Sequence, residues 1–84
     1  MFYTYVLRSL KNNRLYIGST NNLAKRLEEH NFGKSTYTKL TRPFILLYQE
    51  EYLSRVEAVR RELFLKSGKG REWLKNKLND RAVA

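Results

Sequence analysis

Apolar and polar positions alternate with two different periods along this chain. Aromatic and β-branched residues dominate Phe2 to Leu10, and a second such run spans Arg14 to Ser19, so each is predicted as a strand. The polar stretch Lys11-Asn12-Asn13-Arg14 separates them, and paired asparagines accept the positive φ that two-residue hairpins need. With Asn12 and Asn13 as the loop, Tyr5 is predicted opposite Thr20, Leu7 opposite Gly18 and Ser9 opposite Tyr16. Directly opposed side chains share a face, and every second residue returns to it. Tyr3, Tyr5, Tyr16 and Gly18 therefore fall on one side, with Val6, Leu10, Leu15 and Ile17 on the other. Gly18 leaves a gap that another backbone or a ligand can enter.

The period then changes. Thr20-Asn21-Asn22 offers polar caps to a helix from Leu23 to His30, with Leu23 and Leu27 as its buried stripe and Ala24 beside them. Lys25 and Glu29 can pair on its outer side. Arg26 and His30 lie one above the other at the rim of the stripe, and Gly33 suits the stop. Lys34 to Arg42 reads as a basic loop. Phe44 to Tyr52 is a third strand, whose edge and direction the pattern leaves open. Ser54 and Glu57 match a capping box opening a helix to Lys66. Val56, Val59 and Leu63 are its predicted apolar face, flanked by Ala58 and Leu65, and Glu62 falls inside that arc between Ala58 and Val59. Ser67 to Gly70 ends it, a last helix covers Arg71 to Leu78, and the tail 79–84 is expected to fray. The element order is β-β-α-β-α-α, in one domain over residues 1–84.

With 84 residues there is room for one modest core. Seventeen Lys and Arg against eight Asp and Glu give a net charge of +9, which favours a polyanionic partner. Six Tyr, four Phe and one Trp add rings suited to bases. The chain has no cysteine and one histidine, which excludes a thiol nucleophile, a zinc finger and a multi-histidine metal site. The start, Met1 to Arg8, lacks the form of a signal peptide, and the longest apolar run, Phe44 to Tyr48, is too short to span a bilayer. A cytoplasmic protein is expected.

No Gly-rich phosphate loop or dinucleotide fingerprint occurs. Glu28-Glu29 and Glu50-Glu51 are sequence neighbours, whose side chains diverge in a helix or strand. What remains is two tyrosines on one sheet face, Arg26 and His30 on one helix face, and an acid among apolar positions. That set suits phosphodiester cleavage. One carboxylate can hold one Mg²⁺ with waters and a phosphate oxygen. An arginine grips phosphate and offsets charge in the transition state. A tyrosine acting on water near neutral pH needs a nearby cation, since its ordinary pKa is about 10. For Glu62 a salt bridge to Lys66, four residues on, is the competing explanation.

At these residues the chain resembles the GIY-YIG nuclease superfamily, and in particular its small stand-alone bacterial members, similar to the amino-terminal nuclease domain of the excinuclease C subunit. Tyr16-Ile17-Gly18 matches the second motif, while Tyr3-Thr4-Tyr5 keeps only the terminal tyrosine of the first. Arg26, His30 and Glu62 follow in register. The resemblance implies an α+β fold with a small central three-stranded antiparallel sheet flanked by helices. It implies a metal-dependent endonuclease acting on DNA, structure-guided or weakly sequence-selective, in repair or maintenance. Tyr5 would be the general base or its close partner, and Tyr16 would position water or phosphate. Arg26 would bind that phosphate with help from His30, and Glu62 would hold one Mg²⁺ or Mn²⁺. Lys25, Arg26, Lys34, Tyr37 and Lys39 are the expected nucleic-acid contacts, with DNA not distinguished from RNA. Tyr5, Tyr16, Arg26 and Glu62 are expected around one shallow basic groove. A partner protein that supplies targeting is a further expectation. The alternatives are a nucleic-acid-binding module of the same fold without catalysis, and a basic adaptor that docks on protein.

Overall fold

A three-stranded antiparallel sheet forms the centre of the molecule, with β1 (Phe2–Ser9) between β2 (Leu15–Thr20) and β3 (Phe44–Tyr52). The structure is a computed structural model that describes residues 1–33 and 36–83; the side chains of residues 36–38 and 79–83 lie outside that description. The elements are β1 (Phe2–Ser9), β2 (Leu15–Thr20), α1 (Leu23–Phe32), α2 (Thr36–Thr41), β3 (Phe44–Tyr52), α3 (Arg55–Lys66) and α4 (Gly68–Val83). The α+β class and the three antiparallel strands match the expectation from resemblance. The interval expected to be a loop after Gly33 contains the short helix α2.

The hairpin register differs from the predicted one by two residues. Tyr5 faces Gly18, Leu7 faces Tyr16 and Tyr3 faces Thr20. The strands close earlier, at Ser9 and Leu15, so the connection runs from Leu10 to Arg14. Ser9 organises it: its Oγ accepts from the Lys11 and Asn12 amides at 3.1 and 3.2 Å. Asn13 takes the positive φ, 63°. A slip of two preserves the alternation, whereas a slip of one would have exchanged the faces. Tyr3, Tyr5, Tyr16 and Gly18 thus share a face as predicted, although Leu10 falls outside the strand.

Each sheet face carries its own helices. On the tyrosine face, Tyr5, Leu7 and Phe44 form a core with Tyr16 and with Leu23 and Leu27 of α1. The Asn22 side chain caps α1 by accepting from the Lys25 amide, and Gly33 closes it in the left-handed conformation at φ 74°. Asn31 then clamps Phe44 on both sides, accepting from its amide at 2.6 Å and donating to its carbonyl at 3.3 Å. On the opposite face Val6, Leu65 and Leu74 form a second core, with Ile17, Tyr48, Trp73 and Leu78 around it.

Helix α3 is rotated from its predicted orientation. Ala58 and Leu65 are buried, while Val56 and Leu63 are 58% and 62% exposed. Polar bonds account for the difference. The Thr4 hydroxyl donates to the Ala58 carbonyl at 2.8 Å, which needs a small residue next to β1. Arg61 lies over the Phe64 and Trp73 rings and reaches Glu50 through Nε at 2.9 Å and a terminal nitrogen at 3.2 Å. A β-bulge opposite Val6 and Leu7 puts Glu50 there, by turning Tyr48, Glu50 and Tyr52 onto the α3 face. Burial pushes the Glu50 carboxyl up. Hydrogen bonds from Tyr48, Tyr52 and Arg61 outweigh that and hold it below its ordinary value.

Ser67 ends α3 and starts α4, so the expected Ser67–Gly70 break is a single residue. Its backbone amide donates to the Phe64 carbonyl, and its Oγ accepts from the Gly70 amide at 3.2 Å. A Cβ on Gly70 would strike the Phe64 carbonyl, so glycine permits the tight α3–α4 crossing. The helix runs through Val83, past Leu78, where the sequence pattern stops.

Arg61→Ala is expected to lower the unfolding free energy by about 2 kcal/mol, because Glu50 keeps a half-buried charge without its best partner. Urea denaturation checks this. The exposed neighbour change Arg60→Ala should stay within about 0.5 kcal/mol of wild type.

Candidate functional site

The opposition of Tyr5 and Gly18 sets the geometry of the site. Tyr5 belongs to the central strand and is only 2% exposed. With no side chain on Gly18, the phenol lies across the edge strand. An added Cβ at Gly18 would sit 2.6 Å from the Tyr5 Cζ and against its hydroxyl. The gap expected at Gly18 is therefore filled by Tyr5 itself, and Tyr5 is a core side chain rather than a wall of an open groove.

The Tyr5 hydroxyl meets His30 Nε2 at 3.3 Å. Helix α1 delivers His30 to this point, where it is 6% exposed. Tyr16 packs edge-on against the imidazole with ring centroids 4.5 Å apart, and Phe44 lies 5.6 Å away. Arg26, one turn earlier on α1, stays 45% exposed, with its Nε 4.0 Å from Glu29. The structure thus brings Tyr5, Tyr16 and His30 into contact, with Arg26 at the rim.

These surroundings set the protonation states. Burial lowers the His30 pKa from 6.5, and the Arg26 guanidinium lowers it further against a smaller opposite pull from Glu29, so the imidazole is neutral at pH 7. Burial likewise raises Tyr5 well above 10; Arg26 opposes this, while Tyr16, Glu62 and Glu29 add to it. Tyr5 consequently keeps its proton and His30 stays neutral at pH 7, and the imidazole tautomer sets the direction of the hydrogen bond between them.

Glu62 comes from the other face of the sheet. Helix α3 carries it to the edge strand, where Ser19, next to Gly18, donates to Oε1 at 2.7 Å. Lys66 donates to Oε2 at 2.6 Å, so the competing ion pair is formed. The Glu62 side chain is 18% exposed. It remains close enough to Tyr5 to raise that phenol. The four groups therefore approach from both sides of β2, rather than around one groove.

Among the described residues no group of three or more His, Cys, Asp or Glu could hold a metal. A transition-metal cage does not fit that donor set. A Mg²⁺ or Mn²⁺ ion that keeps most of its waters does, because such ions are held by one or two carboxylates together with substrate phosphate. Each carboxylate oxygen can accept more than once. Glu62 is the carboxylate that would hold such an ion, in competition with the Lys66 ammonium.

Of the expected nucleic-acid contacts, Lys25 and Lys39 are exposed. Lys34 and the side chain of Tyr37 lie outside the described residues. Sequence reasoning missed Ser19, Asn31 and Phe44. Ser19 follows Gly18 directly, and its alternation with Gly18 was the available signal that it faces α3.

Fold and site together define a domain of the nuclease class named for paired Gly-Ile-Tyr and Tyr-Ile-Gly motifs. The family model described as the GIY-YIG catalytic domain matches residues 1–79, and the chain belongs to that family. It is 43% identical over 74 residues to the UPF0213 protein SH2523 of Staphylococcus haemolyticus, covering 87% of this chain and 89% of that protein. It is 41% identical over 63 residues to the UPF0213 protein YazA of Bacillus subtilis, covering 74% of this chain and 63% of that protein. The solution NMR structure of the UPF0213 protein BH0048 from Bacillus halodurans is similar at a TM-score of 0.54 and 32% identity, over 90% of this chain and 84% of that one.

Gly18→Ala is expected to destabilise the fold by about 1–3 kcal/mol and to shift the His30 Nε2 resonance, because the Tyr5 ring must give way. Gly68→Ala, with open space around it, should change neither. A second outcome concerns pH. Unfolded His30 takes up a proton near 6.5 while the folded group resists it, so its stabilising contribution is complete above that value and is lost as pH falls. The urea midpoint should drop from about pH 7.5 to about pH 5.5 in wild type, and drop less in His30→Phe.

Proposed function

We propose that this protein is an endonuclease that hydrolyses phosphodiester bonds in structured DNA with one Mg²⁺ or Mn²⁺ bound at Glu62. The observation that carries this reading is the Tyr5 phenol held over Gly18 against a neutral His30, with Arg26 and Glu62 both close enough to bias its ionisation. Membership of the GIY-YIG family supports a nucleic-acid substrate. The surplus of 17 basic over 8 acidic residues supports a polyanion.

In this reading Arg26 binds the scissile phosphate from the rim, and its charge offsets the charge that builds there. Tyr16, half-buried, orients the water. As water attacks phosphorus, its proton passes to the Tyr5 oxygen while the Tyr5 proton passes to His30 Nε2, the bond to the leaving oxygen breaks, and that oxygen takes a proton from solvent water. Ser19 fixes the direction of the Glu62 carboxylate. Glu62 would hold the ion, which would supply positive charge to the phosphate oxygens. DNA repair or maintenance is the proposed setting. One observation favours the second reading, a binding module without catalysis: Lys66 already occupies the Glu62 carboxylate.

Cleavage of nicked and branched DNA with Mg²⁺ separates the two. Wild type should cut, and Glu62→Ala and Arg26→Ala should each lose at least about 100-fold in rate. Equal cutting by all three would point to a contaminating nuclease. Binding without metal should weaken steeply with salt in every variant that keeps its basic surface. Lys66→Met should tighten Mn²⁺ binding measured by electron paramagnetic resonance if Lys66 competes for the carboxylate. Absent cleavage with intact salt-dependent binding would establish the module instead.

A further inference from the structure

Beside the tyrosine–histidine cluster the same sheet face holds a second concavity. The bulge in β3 turns Gln49 and Glu51 onto this face, opposite Tyr5 and Tyr3. With Leu46, Leu27 of α1 and Asn21 before that helix, they line a cleft of about 490 Å³. Leu46, in that lining, remains 37% exposed. A volume of this order lies in the range of ligand sites.

The lining differs in character from the rest of the surface. The chain carries a net charge of +9, yet among the described residues no lysine or arginine lines this cleft, and the one charged residue there is Glu51. Such a wall repels phosphate. It offers instead what a base requires. Tyr3 presents a ring for stacking, and the Gln49 and Asn21 amides both donate and accept. The Glu51 carboxylate only accepts, which suits an exocyclic amino group. Tyr3 is two residues from Tyr5 on the same face, a step of about 6.6 Å. A strand with its phosphate at Arg26 could therefore place a neighbouring base here.

We infer that this cleft takes an unpaired nucleobase bearing an exocyclic amino group, from the same strand that the Tyr5–His30 site acts on. The inference rests on the nucleic-acid reading above and extends it. A base stacked in a duplex cannot enter. A bulged or frayed one enters with least unstacking, so the pocket confers a preference for irregular DNA. Thymine, with no exocyclic amino group, is disfavoured by Glu51.

The test uses the full ¹⁵N-labelled chain in EDTA, titrated with duplexes carrying one bulged deoxycytidine, one bulged thymidine or one bulged abasic analogue. The deoxycytidine bulge should bind at least about fivefold more tightly than the abasic one and shift the Gln49 side-chain amide. Tyr3→Ala should abolish that advantage and Tyr3→Phe keep it, with unchanged amide spectra showing that both fold. Glu51→Gln should narrow the gap between deoxycytidine and thymidine. Equal affinity for all three duplexes, with the Gln49 resonance unmoved, overturns the inference. A chain that shows the base preference but never cleaves DNA supports the pocket and refutes the hydrolytic reading. A chain that cleaves without the preference does the reverse.

Discussion

The contact on which the rest depends is the Tyr5 phenol lying across Gly18 and meeting His30. It requires three independent conditions. The hairpin must oppose residues 5 and 18. Position 18 must lack a side chain. Helix α1 must pack so that His30, on its third turn, comes down over the sheet, and Asn31 secures that placement by clamping the start of β3. Arg26 then follows one turn back, at the rim, without further constraint.

The edge position of β2 brings groups on opposite sheet faces close to one another. A central strand would shield α1 from α3 by a neighbour on each side. At an edge, the tyrosine side and the Glu62 side are separated by one backbone, and at Gly18 that backbone carries no side chain. Ser19 marks the crossing point, since its hydroxyl holds Glu62 directly beside the glycine that receives Tyr5. The other edge serves differently. The bulge in β3 redirects the strand so that one half completes the tyrosine core and the other half sends Glu50 to Arg61. The same redirection exposes Gln49 and Glu51 beside α1.

Burial and charge divide the work between residues. His30 and Tyr5 are enclosed, which keeps the imidazole neutral and the phenol protonated. Arg26 and Lys66 stay at the surface, each beside a carboxylate of its own helix. Glu62 lies between these regimes, 18% exposed and bonded to both Ser19 and Lys66.

Much of this was legible in the residues. The strand and helix runs, the caps at Asn22, Gly33 and Ser54, and the shared face of Tyr3, Tyr5, Tyr16 and Gly18 follow from local periodicity and backbone preference. The face survived a wrong register because alternation repeats every two residues and the error was two. The orientation of α3 did not follow. Val56, Val59 and Leu63 outnumber Ala58 and Leu65 in apolar surface, but the close approach to Thr4 and the reach of Arg61 to Glu50 decided which side turned inward. The bulge, the filling of the Gly18 gap by Tyr5 and the meeting of Glu62 with Ser19 were invisible for the same reason. Local sequence specifies which backbone shapes and which amphipathic faces are available. Choosing among them depends on bonds between residues distant along the chain, and those exist only once the sheet and its helices are assembled.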